Sequence, residues 1–148
     1  MKAMEYGSLI RGITSRMNDY IGKISAKYGI SSGQFEYFML IYQKPGINQL
    51  ELAKIKNVGK ASVTKATSLL ENDGFIRREP SEADRRYMLC TVTEKGQATA
   101  EKLLHIHDHI QSSLFTNFTE KDKIQLFKYL TILSKNAGSL AGESENLL

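Results

Sequence analysis

One short interval interrupts an otherwise helical pattern. Phe75 to Pro80 and Tyr87 to Thr93 read as strands around the polar turn Ser81-Glu-Ala-Asp-Arg85. Before them, apolar residues at Leu9, Ile13, Met17, Tyr20, Ile24 and Tyr28 fall three or four apart. That spacing predicts one stripe on a long first helix, which Gly29 stops. Ser31 with Gln34 is a capping-box pattern opening a second helix that buries Phe35, Phe38, Met39 and Tyr42, and Pro45-Gly46 ends it. Asn48 with Glu51 starts a short third helix carrying Leu50, Leu52 and Ala53, broken by Asn57-Val-Gly59. A fourth helix runs from about Lys60 to Asp73 and is closed by Gly74. Beyond the strands, Thr93-Glu94 opens a long helix reaching Phe118, and Thr119 with Asp122 caps a last helix to about Ala137. The small, polar stretch from Gly138 to Leu148 is expected to fray.

The resulting order is helix, helix, short helix, helix, hairpin, long helix, helix. A helix pair joined by a tight turn and followed by a β-hairpin has the shape of a winged helix-turn-helix, mainly α with a small two-stranded β-wing. No internal repeat or low-complexity segment competes with that reading. A length of 148 residues with two prolines predicts a single domain over 1–148. Within it, 31–96 forms the winged module, 1–30 and 97–137 supply the flanking helices, and 138–148 is a flexible tail. The longest uninterrupted apolar stretch, Tyr37-Phe-Met-Leu-Ile-Tyr42, is too short to span a bilayer. The start, MKAMEYGSLIRG, lacks the apolar core of a secretion signal, and the single cysteine, Cys90, cannot form an internal disulfide. These features predict a cytoplasmic protein with no membrane partner.

A net charge of +4 leans toward anionic partners, and its distribution says more. Lys54 to Lys65 holds four lysines and no acid, and four of the six arginines form the doublets Arg77-Arg78 and Arg85-Arg86. A basic run alone is usually a solvated face, so placement decides. At about 100° per residue, Val63, Ala66 and Leu70 define the buried arc of the fourth helix. Opposite lie Ala61, Thr64, Lys65 and Ser68, with Lys60 at one margin and Ser62 and Leu69 at the other. That face is short, polar, cationic and free of acid until Glu71, which suits the major groove of duplex DNA. Lys65 can reach guanine acceptors, Thr64 and Ser68 can donate or accept, and Ala61 can touch a thymine methyl. Gly59, the expected N-cap, leaves the amides of residues 60 to 62 open to a phosphate. At the hairpin tip, Arg85 and Arg86 suit the minor groove, with Asp84 as a partner that fixes one arginine while the other reaches out. The plainer alternative for the hairpin is a surface turn with a local ion pair.

The segment Asp84-Arg85-Arg86-Tyr-Met-Leu-Cys-Thr-Val92-Thr93-Glu-Lys-Gly96 resembles the D-x-R-x5-L-T-x-x-G wing signature of the MarR family of transcriptional regulators. Leu69-Leu-Glu71-Asn-Asp-Gly74-Phe-Ile76-x-Arg78 is similar to that family's L-E-x-x-G-L-I-x-R exit from the recognition helix. Gly46-Ile-Asn-Gln-Leu50-Glu-Leu52-Ala53 resembles the helix before the turn, and the likeness extends over about residues 6 to 137. Val92 stands where the signature has Leu, and Gly59 where the family often has a Ser or Asp cap. The resemblance implies a two-fold homodimer whose winged modules are held apart by a bundle of the first and last two helices. It also implies that Asp84 pairs with Arg86, that the wing arginines enter the minor groove, and that a small aromatic effector binds between bundle and winged module. Tyr6, Tyr20, Phe35, Tyr37, Phe38 and Tyr42 could line such a crevice, but aromatics at helical spacing also build ordinary core. None is therefore assigned to a ligand.

A dimer has support in the residues themselves. Ala100, Leu103, His107, Ile110, Leu114 and Phe118 form one apolar seam, and Ile124, Phe127, Leu130 and Leu133 another. A winged module needs neither, so a symmetric partner is the economical cover, with an intramolecular pack as the alternative. His105 and His109 have an i, i+4 spacing compatible with zinc, but carboxylates or a partner chain would have to complete a site, and the first two helices offer Asp19 and Glu36. No metal or cofactor is expected. Cys90, mid-strand between Leu89 and Thr91, reads as a packed thiol. No phosphate-cradling loop, nucleophile elbow or nucleophile–histidine pairing is present, so no enzyme is expected. The sequence is read as a homodimeric regulator of the repressor type that binds a palindromic site in double-stranded DNA and responds to a ligand. Its contacts would be Lys60, Ala61, Ser62, Thr64, Lys65, Ser68, Arg85 and Arg86, with Asp84 orienting the wing. The alternative is a winged-helix protein-interaction module that does not read DNA.

Overall fold

The computed structural model describes residues 3–144. In chain order these form α1 (Ala3–Ser25), α2 (Ser32–Gln43), β1 (Ile47–Asn48), α3 (Gln49–Lys56), α4 (Lys60–Asn72), β2 (Ile76–Pro80), β3 (Met88–Val92), α5 (Glu94–Leu114) and α6 (Glu120–Ser144). Two compact units divide them, one ending at His107 and the other beginning at Asp108.

The first unit is built on α2, which packs on α1, α4 and β3. Phe35, Phe38 and Met39 are buried as the periodicity predicts, while Tyr42 is half-buried and Tyr37 and Ile41 join the core. Phe38 meets Phe75 edge to face, with centroids 5.7 Å apart. Ile30, Leu52, Val63, Leu70, Ile76 and Cys90 close the same core. The Ser31 N–H and hydroxyl both donate to Gln34 Oε1, at 3.0 and 2.8 Å, so the predicted cap of α2 forms. At α3 the box is reciprocal: Glu51 N–H donates to Asn48 Oδ1 and Asn48 N–H to Glu51 Oε2. On α1, the predicted stripe residues Leu9, Ile13 and Tyr20 are exposed and Met17 and Ile24 half-buried, while Ile21 and Ser25 are buried.

The sheet has three strands, in the order β1-β3-β2, where the sequence predicts two. After the Pro45-Gly46 turn, the Gly46 N–H donates to the Cys90 carbonyl at 2.9 Å. That bond lays Ile47 and Asn48 antiparallel against Cys90 and Leu89. Two residues carry too little periodic signal to be read as a strand. In β2 and β3, Ile76 pairs with Val92 and Pro80 with Met88.

Where the hairpin meets α5, Thr93 caps the helix by accepting from the Gly96 N–H and donating to the Gly74 carbonyl at 2.6 Å. Gly96 packs so closely that a Cβ there would lie 2.0 Å from the Phe75 carbonyl oxygen. The Lys95 ammonium covers the Phe75 ring, 4.4 Å from its centroid, and donates to the Asp73 carbonyl.

In the second unit, α5 stops at Leu114, short of the predicted Phe118. The Thr116 hydroxyl donates to the Ser112 and Ser113 carbonyls, and Asn117 takes a left-handed φ of 66°, which ends helical continuation. Thr119 and Asp122 then cap α6 as predicted. α6 continues to Ser144 instead of ending near Ala137, so the expected fraying from Gly138 gives way to helix. Residues 145–148 of that predicted tail lie outside the described residues.

Candidate nucleic-acid interface

The HTH pair is α3 and α4, joined by Asn57, Val58 and Gly59. Asn57 takes a left-handed φ of 53°, and its N–H closes the end of α3 on the Ala53 and Lys54 carbonyls. Gly59 is the N-cap of α4 and offers no side chain to its amides, and the space where a Cβ would stand is open. The face calculation holds: Val63, Ala66 and Leu70 are buried, whereas Lys60, Ala61, Ser62, Thr64, Lys65 and Leu69 are exposed and Ser68 half-buried. The helix therefore offers a cationic, hydroxyl-bearing strip with open amide groups at one end.

At the wing, the Arg86 guanidinium lies on Asp84. Its Nε stands 3.0 and 3.1 Å from the two carboxylate oxygens, its Nη2 2.6 Å from Oδ2, and its backbone N–H donates to Oδ1. Hydrogen bonds to Arg86 hold the Asp84 carboxyl below the usual carboxylate range and raise the guanidinium in return. The turn is closed by Ser81 N–H to the Tyr87 carbonyl and Tyr87 N–H to the Asp84 carbonyl. Arg85 is exposed beside this locked pair. One arginine is fixed and the other is presented, as the sequence predicts.

The basic run is thinner than it reads. Lys56 is half-buried, ion-paired with Glu36 and set over the Tyr37 ring, and burial pushes its ammonium below the usual lysine range. Arg78 of the first doublet turns inward onto Glu71, its side chain 18% exposed against 85% for Arg86. Thr67, which the sequence reading leaves unplaced, is fully buried on α4. A threonine at a core position carries no polarity signal that would reveal it.

The other candidates separate. Cys90 is fully buried in β3, and burial pushes its thiol up to about 11. His105 and His109 are exposed and His107 half-buried; among the described residues no group of three or more His, Cys, Asp or Glu could hold a metal ion. Of the aromatics considered for an effector crevice, Phe35 and Phe38 are core while Tyr6 and Tyr20 are exposed. Tyr37 lines a hollow of about 340 Å³ between α2 and α4, shared with Ser31, Gln34, Ser62 and Lys65. Among the described residues no helix is long and apolar enough to cross a membrane.

The helix pair, the cationic outer face of α4 and the hairpin beside it define a winged helix-turn-helix protein. The chain belongs to the MarR family, whose sequence profile matches residues 30–88. It is 34% identical over 109 residues to the HTH-type transcriptional regulator BilQ of Clostridium symbiosum, covering 74% of this chain and 76% of that one. It is 31% identical over 120 residues to the HTH-type transcriptional repressor YetL of Bacillus subtilis, covering 80% and 72% respectively. A MarR family regulator from Listeria monocytogenes, solved in complex with a 26mer DNA, has the same fold, with a TM-score of 0.72 and 24% identity over 92% of this chain and 89% of that one.

Proposed function

We propose that this chain is a homodimeric, sequence-specific DNA-binding repressor of transcription that recognises a palindromic operator. The observation that carries the reading is the acid-free outer face of α4 beside a wing whose Arg86 is fixed and whose Arg85 is presented. Lys60, Ala61, Ser62, Thr64, Lys65 and Ser68 serve the major groove and its phosphates. Arg85 and Arg86, oriented by Asp84, serve the minor groove. The repressor sign is carried over from the name of the Bacillus subtilis relative, and the DNA complex of the Listeria fold relative supports duplex DNA as the partner.

Residues 31–96 act as the reading module, and 1–30 with 97–137 as dimerisation helices. Support for the dimer comes from apolar surface that the single chain leaves in water. Leu9, Ile10 and Ile13 on α1 are exposed, as are Ile124 (71%) and Phe127 (75%) on α6. A small aromatic effector would release DNA by binding the state whose recognition helices are misplaced for the groove.

The test is selection from random duplexes at physiological salt, alongside sedimentation of the same protein. The expected result is a dimer that enriches a palindrome with half-sites about one helical turn apart. Its affinity should fall on the order of a thousandfold between about 50 and 200 mM salt. A dimer that enriches nothing and has shallow salt dependence would overturn the reading in favour of a protein-docking module.

A further inference from the structure

We propose that the Glu71–Arg78 pair is a positioning clamp that fixes the reading face of α4 against the wing, and that Arg78 itself contacts no DNA. The proposal rests on the DNA-binding reading above. The Arg78 Nε and Nη2 donate to Glu71 Oε2 at 2.9 and 2.6 Å, and the Arg78 backbone N–H donates to Glu71 Oε1 at 3.0 Å. Both carboxylate oxygens, on the last full turn of α4, are thus engaged by one residue of β2. Hydrogen bonding to Arg78 holds the Glu71 carboxyl below its usual range, so it is charged at neutral pH.

The clamp continues inward. Arg78 Nη1 lies 3.5 Å from the Thr67 hydroxyl, which donates to the Val63 carbonyl at 2.8 Å and accepts from Gln49 Nε2 at 3.0 Å. Gln49 is the first residue of α3. One connected set of polar groups therefore ties the start of the helix before the turn, the inner face of the recognition helix and the first strand of the wing. Two grooves of a duplex have a fixed spacing, so two reading elements gain from being held at one separation before they meet it. An acid on a DNA-facing helix otherwise repels phosphate, and pairing with Arg78 removes that cost.

The test uses the full chain, the duplex recovered by selection and an unrelated duplex of equal length. Affinity for each is measured at two salt concentrations for wild type, Glu71→Gln, Arg78→Lys and Arg78→Gln. The clamp predicts that Glu71→Gln lowers operator affinity about tenfold, the scale of a lost charge-assisted hydrogen-bond set, while affinity for the unrelated duplex holds or rises. Arg78→Lys and Arg78→Gln should lose discrimination alike and leave the salt slope unchanged. Thr67→Val, which keeps the shape and removes the hydroxyl that links Arg78 to Gln49 while leaving the Glu71–Arg78 pair in place, should give a smaller loss in the same direction.

Equal tightening on both duplexes by Glu71→Gln would reduce Glu71 to a repelling charge and overturn the proposal. So would an Arg78→Lys variant that keeps discrimination while Arg78→Gln flattens the salt slope by about one, the mark of a phosphate contact. A variant that is merely destabilised lowers both affinities in proportion, because unfolded chain binds neither duplex specifically. An unchanged ratio beside a lowered melting temperature would therefore also count against the clamp. If wild type prefers no duplex at all, the DNA-binding reading itself falls and the clamp with it. If wild type discriminates and Glu71→Gln discriminates equally, only the clamp falls.

Discussion

The winged module and the last helix handle apolar surface in opposite ways. Around α2, Phe38, Ile41, Leu52, Leu70, Ile76 and Cys90 are almost wholly removed from water. On α6, none of the described side chains is buried, and Ile124, Phe127, Leu130 and Leu133 lie largely in the open. Both regions follow the same helical period, so periodicity alone does not say what a stripe packs against. The module closes its own core because strands and helices from one chain surround α2. α6 has a stripe without a comparable surround, which is why a second copy of the chain is the proposed cover.

The sharpest way to break this comparison is to hollow the module. Phe38→Ala should cost about 3–5 kcal/mol in a denaturant titration, since it removes a fully buried ring from an edge-to-face pair. A loss below about 1 kcal/mol would mean that the core does not rest on α2. On the other side, Phe127→Asp should leave the helical circular dichroism intact but weaken dimer formation by about 2 kcal/mol or more, read by sedimentation. Persistence of the dimer at wild-type strength would place the interface elsewhere. Within the module, Lys65→Ala should lose about 1–3 kcal/mol of operator binding and relax one base step per half-site. Wild-type binding by that variant would reassign the reading face.

The smallest expected effect is a pH dependence. Glu71 has a folded-state pKa lowered by Arg78, so its stabilising contribution is present above the ordinary glutamate value of about 4.3 and lost as pH falls through the lowered one. The difference in melting temperature between wild type and Glu71→Gln should thus stay flat from about pH 8 to 5 and shrink only in stronger acid. A difference that changed between pH 6 and 8 would point to another titrating group.

Much of this was legible because the signals were local. The Ser31/Gln34, Asn48/Glu51 and Thr119/Asp122 pairs each lie three residues apart and announce their own helix starts. The face of α4 could likewise be placed from neighbours along the chain, whereas the choice of Arg86 as the partner of Asp84 came from the resemblance to the family's wing signature. What escaped depends on distant partners. β1 exists only because Cys90 and Leu89 come alongside it. Thr67 and Arg78 look like surface residues until Gln49 and Glu71 are brought to them. The end of α6 lies beyond the predicted Ala137 for a different reason. Gly138 and Gly142 lower helix propensity, but a helix already running continues through them, and the Ser139 hydroxyl adds a bond back to the Lys135 carbonyl.

The order of the sheet carries one more consequence. With β3 in the middle, β1 covers one side of it with two residues, and β2 is the longer outer margin, where Glu71 already takes the Arg78 N–H. Open strand margins are templates on which other chains can polymerise. This one carries exposed Arg77 and Glu79 and finishes at Pro80, which has no N–H to offer. The margin of the wing therefore offers a second chain little to pair with.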